Sequence, residues 1–324
     1  MSVRIPRRRF LAGMTALAAA KVAFGFAPPA EAASPFRVSV INDEISQDFG
    51  RTCEVAAREF GMRWIELRGM WKKNIVDLDA NDVAEAQRIL AKYQLKVTDI
   101  ASPLFKVDWE GAPQSKFSTP NDFHANFGFR QQDEVLDRAI AMAKAFQTDR
   151  VRCFDFWRLD DQAPYREAIN EKLRQAASKA GQQGITLVLE NDSSNNTATG
   201  AEAAKVLEVV KSPNLMLNWD PGNAATSGEI PYPDGYNLLP KERIGHCHCK
   251  DAVKKGKKYD WAPMGAGIID WAGQFKALKR DGYHYAVSLE THWSGGGSPE
   301  ECSRQSWAGM KKLLQQAEAL QGNC

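Results

Sequence analysis

Hydrophobic residues along this chain fall into two alternating textures. Short runs rich in Val, Ile, Leu and aromatic residues occupy positions 38–41, 64–67, 96–101, 150–154, 186–190, 215–220, 243–250 and 285–290, which predicts eight strands. Between them apolar residues return every three or four positions, over 52–60, 83–93, 134–146, 165–180, 201–210 and 272–279, and again over 299–320, which predicts helices. Repeated strand-helix units build a parallel sheet, because parallel strands need a long crossover and a helix supplies it. Eight such units favour closure into a (β/α)8 TIM barrel over an open doubly wound sheet. No Gly-x-Gly-x-x-Gly follows the first predicted strand, so the usual sign of a dinucleotide-binding fold is missing.

The opening residues have a different texture. Arg7, Arg8 and Arg9 precede Phe10 and Leu11, a mildly apolar stretch runs to Phe26, and Ala30-Glu31-Ala32 offers a small-x-small cleavage site. Residues 1–32 are therefore expected to be a Tat-type signal peptide, directing the chain to the periplasm or otherwise out of the cytoplasm, with a single barrel domain over 33–324. The apolar stretch is too short and too rich in Ala and Gly for a stable membrane span. Lys and Arg number 42 against 40 Asp and Glu, and the first 32 residues hold five of the former and one of the latter, so the rest carries a formal charge of −2. That balance argues against nucleic acid as a partner, and Lys254, Lys255, Lys257 and Lys258 read as a solvated loop. The six cysteines are too scattered to frame the fold, although Cys53, Cys153, Cys302 and Cys324 could pair after export.

Polar residues gather where the predicted strands end. Glu190 closes the fifth strand, Asp220 the sixth and Glu290 the eighth, positions that ring the mouth of a barrel. In the seventh, His246-Cys247-His248-Cys249-Lys250 alternates, which turns His246, His248 and Lys250 inward and both cysteines toward the helices. A mixed Cys/His zinc site is thereby disfavoured. Buried carboxylates meeting at one point repel one another unless a cation compensates them, so the cluster calls for a metal. Three carboxylates and one imidazole suit Mn²⁺, the expectation here, with Mg²⁺, Co²⁺ and Zn²⁺ also accommodated.

Leu189-Glu190-Asn191, Trp219-Asp220-Pro221-Gly222-Asn223, His246-Cys247-His248-Cys249-Lys250-Asp251, Gly265-Ala266-Gly267-Ile268-Ile269-Asp270-Trp271 and Ser288-Leu289-Glu290 occur in that order. With them the chain resembles the xylose isomerase-like barrels, the sugar phosphate isomerase/epimerase group that also holds ketose 3-epimerases, inosose dehydratase and endonuclease IV. The resemblance implies that Glu190, Asp220, His248 and Glu290 hold the metal, with Glu190 and Glu290 as acid/base residues. It also implies a sugar isomerase or epimerase working by proton transfer next to a carbonyl through an enediolate. Ketose epimerases of the group carry a substrate-contacting His three residues after the metal Asp. Asn223 stands there in this chain, which disfavours a free ketohexose.

Lys250, Arg152, Asn223, Glu66, Trp157 and His292 are the expected substrate contacts, with barrel-internal ion pairs an equal reading for Arg152 and Glu66. Phe105 and Trp293 join Trp157 as aromatic residues in loops after strands, His246 is expected to sit one layer deeper than the ligands, and Asn191 is expected to orient Glu190. A dehydratase using the same site and a non-catalytic sugar-binding barrel of the cell envelope are the competing functions. DNA repair is disfavoured by the few histidines. The expected partner is a small sugar or polyol, unphosphorylated because of export, and homo-oligomer formation stays open.

Overall fold

The computed structural model describes residues 34–119 and 122–320; the leader expected over 1–32 lies outside the described residues. The eight predicted strands form as β1 (Arg37–Val40), β2 (Trp64–Leu67), β3 (Lys96–Leu104), β4 (Arg150–Cys153), β5 (Thr186–Glu190), β6 (Leu215–Trp219), β7 (Ile244–Cys249) and β8 (Ala286–Leu289). Each pairs in parallel with its neighbour in chain order from β2 to β8, and β8 pairs with β1. A parallel bridge between Ile41 and Glu66 joins β1 to β2 and completes the barrel.

Among the described residues seven helices stand where the periodicity placed them, a further short one after β6 was not predicted, and polar caps set the starts of most. They are α1 (Phe49–Glu54), α2 (Ala80–Tyr93), α3 (Gln132–Ala145), α4 (Arg166–Gly181), α5 (Gly200–Val209), α6 (Pro221–Thr226), α7 (Trp271–Arg280) and α8 (Pro299–Gln316). Asp48, Asp79, Thr199, Asp270 and Ser298 each accept a backbone N–H of the first turn, which satisfies donors that the helix itself cannot. Two expectations are corrected. The last helix stops at Gln316, short of the predicted 320. The lysine-rich loop is an antiparallel hairpin, Asp251–Lys255 with Lys258–Ala262, because Gly256 takes the positive φ of the turn; its lysines are nonetheless exposed.

Outward-facing strand residues such as Val40, Leu67, Leu187, Leu217 and Val287 pack against the helices, and this ring is the apolar core. Burying each such side chain stabilises the fold by about 1.5–3 kcal/mol. Cys247 and Cys249 belong to that core, as alternation predicts. The axis is different: where barrels of this class usually stack branched aliphatic residues, Ser39, Glu66, Asp99, His246 and Ser288 are fully buried. Cys53, Cys153, Cys247, Cys249 and Cys302 are buried and unpaired, so no disulfide forms among the described cysteines, and Cys324 lies outside them. No described helix is long and apolar enough to cross a membrane.

Candidate metal centre and active site

The carboxyl ends of β5 to β8 bring four buried side chains together. Glu190 ends β5, Asp220 and Glu290 follow β6 and β8, and His248 lies in β7. One ligand atom from each lies within 4.8 Å of the others. His248 Nδ1 is 3.2 Å from Glu290 Oε2, 3.5 Å from Glu190 Oε1 and 3.8 Å from Asp220 Oδ2.

In each of the four, the other polar atom is clamped. Asp220 Oδ1 accepts the Asn223 backbone N–H at 2.9 Å, capping α6, where Pro221 fits the first helical position. Arg152 Nη1 donates to Glu190 Oε2 at 3.2 Å. Glu290 Oε1 is 3.2 Å from Arg68 Nη1 and 3.1 Å from His292 Nε2. His248 Nε2 is 3.0 Å from Glu66 Oε1, which turns Nδ1 toward the carboxylates. That nitrogen is fully buried and has no hydrogen-bond partner, an arrangement that is costly in a protein interior unless something binds there. A lone imidazole nitrogen facing three carboxylate oxygens, with its far side on a carboxylate, fits a divalent cation.

The electrostatics follow from burial and neighbours. Burial pushes Asp220 up to about 6, helped by Glu290 and Glu190 and opposed by Lys250. For Glu290 burial also opposes ionisation, but Lys250, His292 and His248 outweigh it and hold the carboxyl well below its usual range. Glu190 is lowered too: His248 and Arg152 overcome its burial. Burial disfavours a charged His248, yet Glu66, Glu290 and Glu190 together raise it well above an ordinary histidine. Cation binding at this point therefore competes with a proton on the ring.

The expected substrate contacts separate into two groups. Lys250 and His292 reach the cluster from the mouth. Lys250 Nζ sits 2.6 Å from Glu290 Oε2 and 2.8 Å from Asp220 Oδ2, and the side chain of His292 is 25% exposed. Glu66, Arg152, Asn223 and Trp157 are buried, and the Glu66 carboxylate, the Arg152 guanidinium and the Asn223 side-chain amino group are already engaged. Glu66 binds His246 and His248 with its two oxygens, each at 3.0 Å, which places it beneath the ligands rather than against a substrate. Arg152 spends its remaining donors on the carbonyls of Ala101 and Ser102. The Asn223 amide lies 2.9 Å from Asp220 Oδ2 and 3.2 Å from Glu190 Oε1, between two ligand carboxylates. Trp157 is buried beneath the Lys106 ammonium, which lies 5.4 Å from its ring centre. Phe105 is core, and Asn191 brackets the backbone of Asp220, donating to its carbonyl and accepting its N–H, instead of orienting Glu190.

Sequence reasoning missed four residues. Arg68, 4% exposed, ties Asp43, Glu44 and Glu290 together. Glu44 accepts the His292 backbone N–H at 3.0 Å. Lys106 pairs with Asp192 at 3.2 Å and Asp122 at 3.1 Å. Trp261, on the unforeseen hairpin, lies 5.0 Å from Lys250 Nζ and edge-on to His292. Arg68 and Glu44 each follow a predicted strand, the signal that found Glu290, but neither stands in a motif. The glycine-rich 265–267 segment proves to be a wrap around Asp251, whose Oδ2 accepts the N–H groups of Gly265 and Gly267 at 3.0 Å. A Cβ at Gly267 would lie 2.0 Å from Asp251 Oδ1, so glycine is required by close approach.

Several solved structures share this architecture. The probable 3-DHS dehydratase AsbF from Bacillus anthracis, involved in petrobactin synthesis, is similar at TM-score 0.66 and 19% identity, covering 86% of this chain and 98% of its own. The D-allulose 3-epimerase from a Methylomonas species, in complex with D-allulose, is similar at 0.63 and 18%, covering 88% and 99%. A xylose isomerase-like TIM barrel protein from Mycobacterium smegmatis, in complex with magnesium, is similar at 0.62 and 17%, covering 88% and 98%. At such identities the likeness carries the fold alone, and no curated protein matches the sequence. The profile of one family matches residues 55–321, and the chain accordingly belongs to the xylose isomerase-like TIM barrels.

Proposed function

We propose that this protein is a divalent-metal-dependent isomerase or epimerase of an unphosphorylated sugar or polyol-derived ketone, moving a proton next to a carbonyl through an enediolate. The observation that carries the reading is the convergence of four side chains, each with one atom clamped and the other turned to a common point. Glu190, Asp220, His248 and Glu290 would hold the ion, Mn²⁺ in our reading, and the ion supplies Lewis acidity toward a carbonyl and its neighbouring hydroxyl.

The chain's own residues do the rest. Glu190 and Glu290 approach from β5 and β8, so a carbon held between them presents one face to each. Glu290 accepts the proton; Arg68 holds its outer oxygen and fixes the angle of approach. Arg152 does the same for Glu190. Return of the proton to the opposite face gives epimerisation, and return to the adjacent carbon gives isomerisation. Lys250 and His292 orient the substrate oxygens, with Trp261 as an apolar wall. One feature favours a dehydratase as the second reading: partly exposed His292, 3.1 Å from Glu290, is placed to protonate a departing hydroxyl.

The test is deuterium incorporation from solvent into a panel of ketoses, keto-glycosides and inososes, with metal-stripped and Mn²⁺-loaded protein. Metal-dependent exchange supports the reading, and water loss alongside it selects the dehydratase. Binding without exchange or dehydration would leave a sugar-binding barrel and end the enzymatic proposal. We also propose export through residues 1–32, which a secretion assay of wild type against Arg8→Lys, Arg9→Lys would check; unchanged secretion removes it.

A further inference from the structure

We infer that Lys250 is a built-in competitor of the metal: its ammonium neutralises the centre in the metal-free protein, and a divalent cation entering the centre turns it out toward the mouth. The inference rests on the metal reading above. Arg68 and Arg152 grip the outer oxygens of Glu290 and Glu190. Lys250 instead grips inner ones. Its Nζ lies 2.6 Å from Glu290 Oε2 and 2.8 Å from Asp220 Oδ2, the two oxygens that also face His248 Nδ1. No other Lys or Arg among the described residues is paired with those oxygens.

A metal at roughly 2.0–2.2 Å from the same oxygens would lie about 4 Å from the ammonium, and like charges at that separation in a site shielded from water repel strongly. The stem of Lys250 cannot relieve this by shifting as a whole. A Cβ at Gly222 would sit 2.5 Å from Lys250 Cγ, and the Lys250 carbonyl accepts the Trp271 indole N–H at 3.2 Å, so backbone and inner stem are packed in place. The freedom lies in the outer carbons, and the Trp261 ring, 5.0 Å from Nζ, offers the displaced cation a resting face. Metal loading would then be the event that presents Lys250 to an anionic or carbonyl oxygen of the substrate, so that substrate binding follows metal binding.

The experiment compares chelator-stripped wild type with Lys250→Met and Lys250→Arg, titrating Mn²⁺ and Zn²⁺ by calorimetry and following thermal unfolding with and without metal. Lys250→Met is expected to lower the melting temperature of the stripped protein, to bind metal at least tenfold more tightly, and to recover stability on loading. Lys250→Arg, which keeps the charge, is expected to stay near wild type. Should stripped Lys250→Met fail to fold, Lys250→Gln, which keeps a donor without the charge, takes its place with the same expectation. Equal or weaker metal affinity in a folded uncharged variant overturns the role of Lys250 alone. Absence of binding in both wild type and variants overturns the metal reading together with this inference.

Discussion

The two halves of the barrel do different work. Strands β5 to β8 present what converges: Glu190, Asp220, His248 and Glu290. Strands β1 to β4 and their loops present what holds: Glu66 behind His248, Arg68 on Glu290, Arg152 on Glu190, and Lys106 on Asp192. Each ligand of the cluster is fixed from behind: His248, Glu290 and Glu190 by groups from the other half of the barrel, Asp220 by the first turn of its own helix α6. If the division is real, damage to the converging side should stop turnover, and damage to the holding side should weaken the centre in steps.

The largest effect is expected from Glu190→Gln and Glu290→Gln. Each should lower deuterium exchange by about 10²–10⁴-fold, measured by mass spectrometry, because an amide can neither take nor return the proton. Wild-type exchange in either variant removes that residue from the acid/base role. Next comes Arg152→Met. Breaking a buried pair on one side leaves an uncompensated carboxylate, and about 3–5 kcal/mol of stability should be lost in chemical denaturation of the metal-free protein. An unchanged midpoint would show that Glu190 needs no clamp.

Glu66→Gln probes the support of the imidazole. Metal affinity should fall about 10–100-fold by calorimetry, since the ring loses the carboxylate that sets its tautomer. The smallest effect is expected at Lys106 and Asp192, the cross-half pair farthest from the ligands in role. Burial opposes ionisation of Asp192, but Lys106 and the Ser194 hydrogen bonds lower its carboxyl to about 2, below the ordinary 3.8. The stabilisation is therefore complete above about pH 4 and is lost as the pH falls toward 2. Asp192→Asn should cost about 2 kcal/mol at neutral pH and flatten the acid limb of the stability curve, measured by denaturant titration at successive pH values.

The same division explains how much was legible beforehand. All eight strands announced themselves through composition, and Glu190, Asp220 and Glu290 through their place at strand ends. Period-two alternation turned His246, His248 and Lys250 inward, and the family resemblance singled out His248 among them. The holding groups were legible only in part: an internal ion pair was one of two equal readings for Arg152 and Glu66, while nothing local marks their partners, and Arg68 and Lys106 were not singled out at all. Arg68 is separated from Glu290 by 222 residues, and Arg152 from Glu190 by 38. For Glu66 the two readings, substrate contact and internal ion pair, stood level because its position on β2 was known but its depth was not; the pairing with His246 and His248 is the second. The hairpin that carries Trp261 was hidden by its lysines, which describe exposure and say nothing of pairing.

The buried single thiols carry a last consequence. In the folded chain Cys53, Cys153 and Cys249 are shielded, and burial pushes all three well above the usual thiol range, so none offers a reactive thiolate to an oxidant. An unfolded chain in the same surroundings would expose every one of them to mispairing. Whether this protein tolerates an oxidising medium is thus settled by timing, by whether the barrel closes before the oxidant arrives.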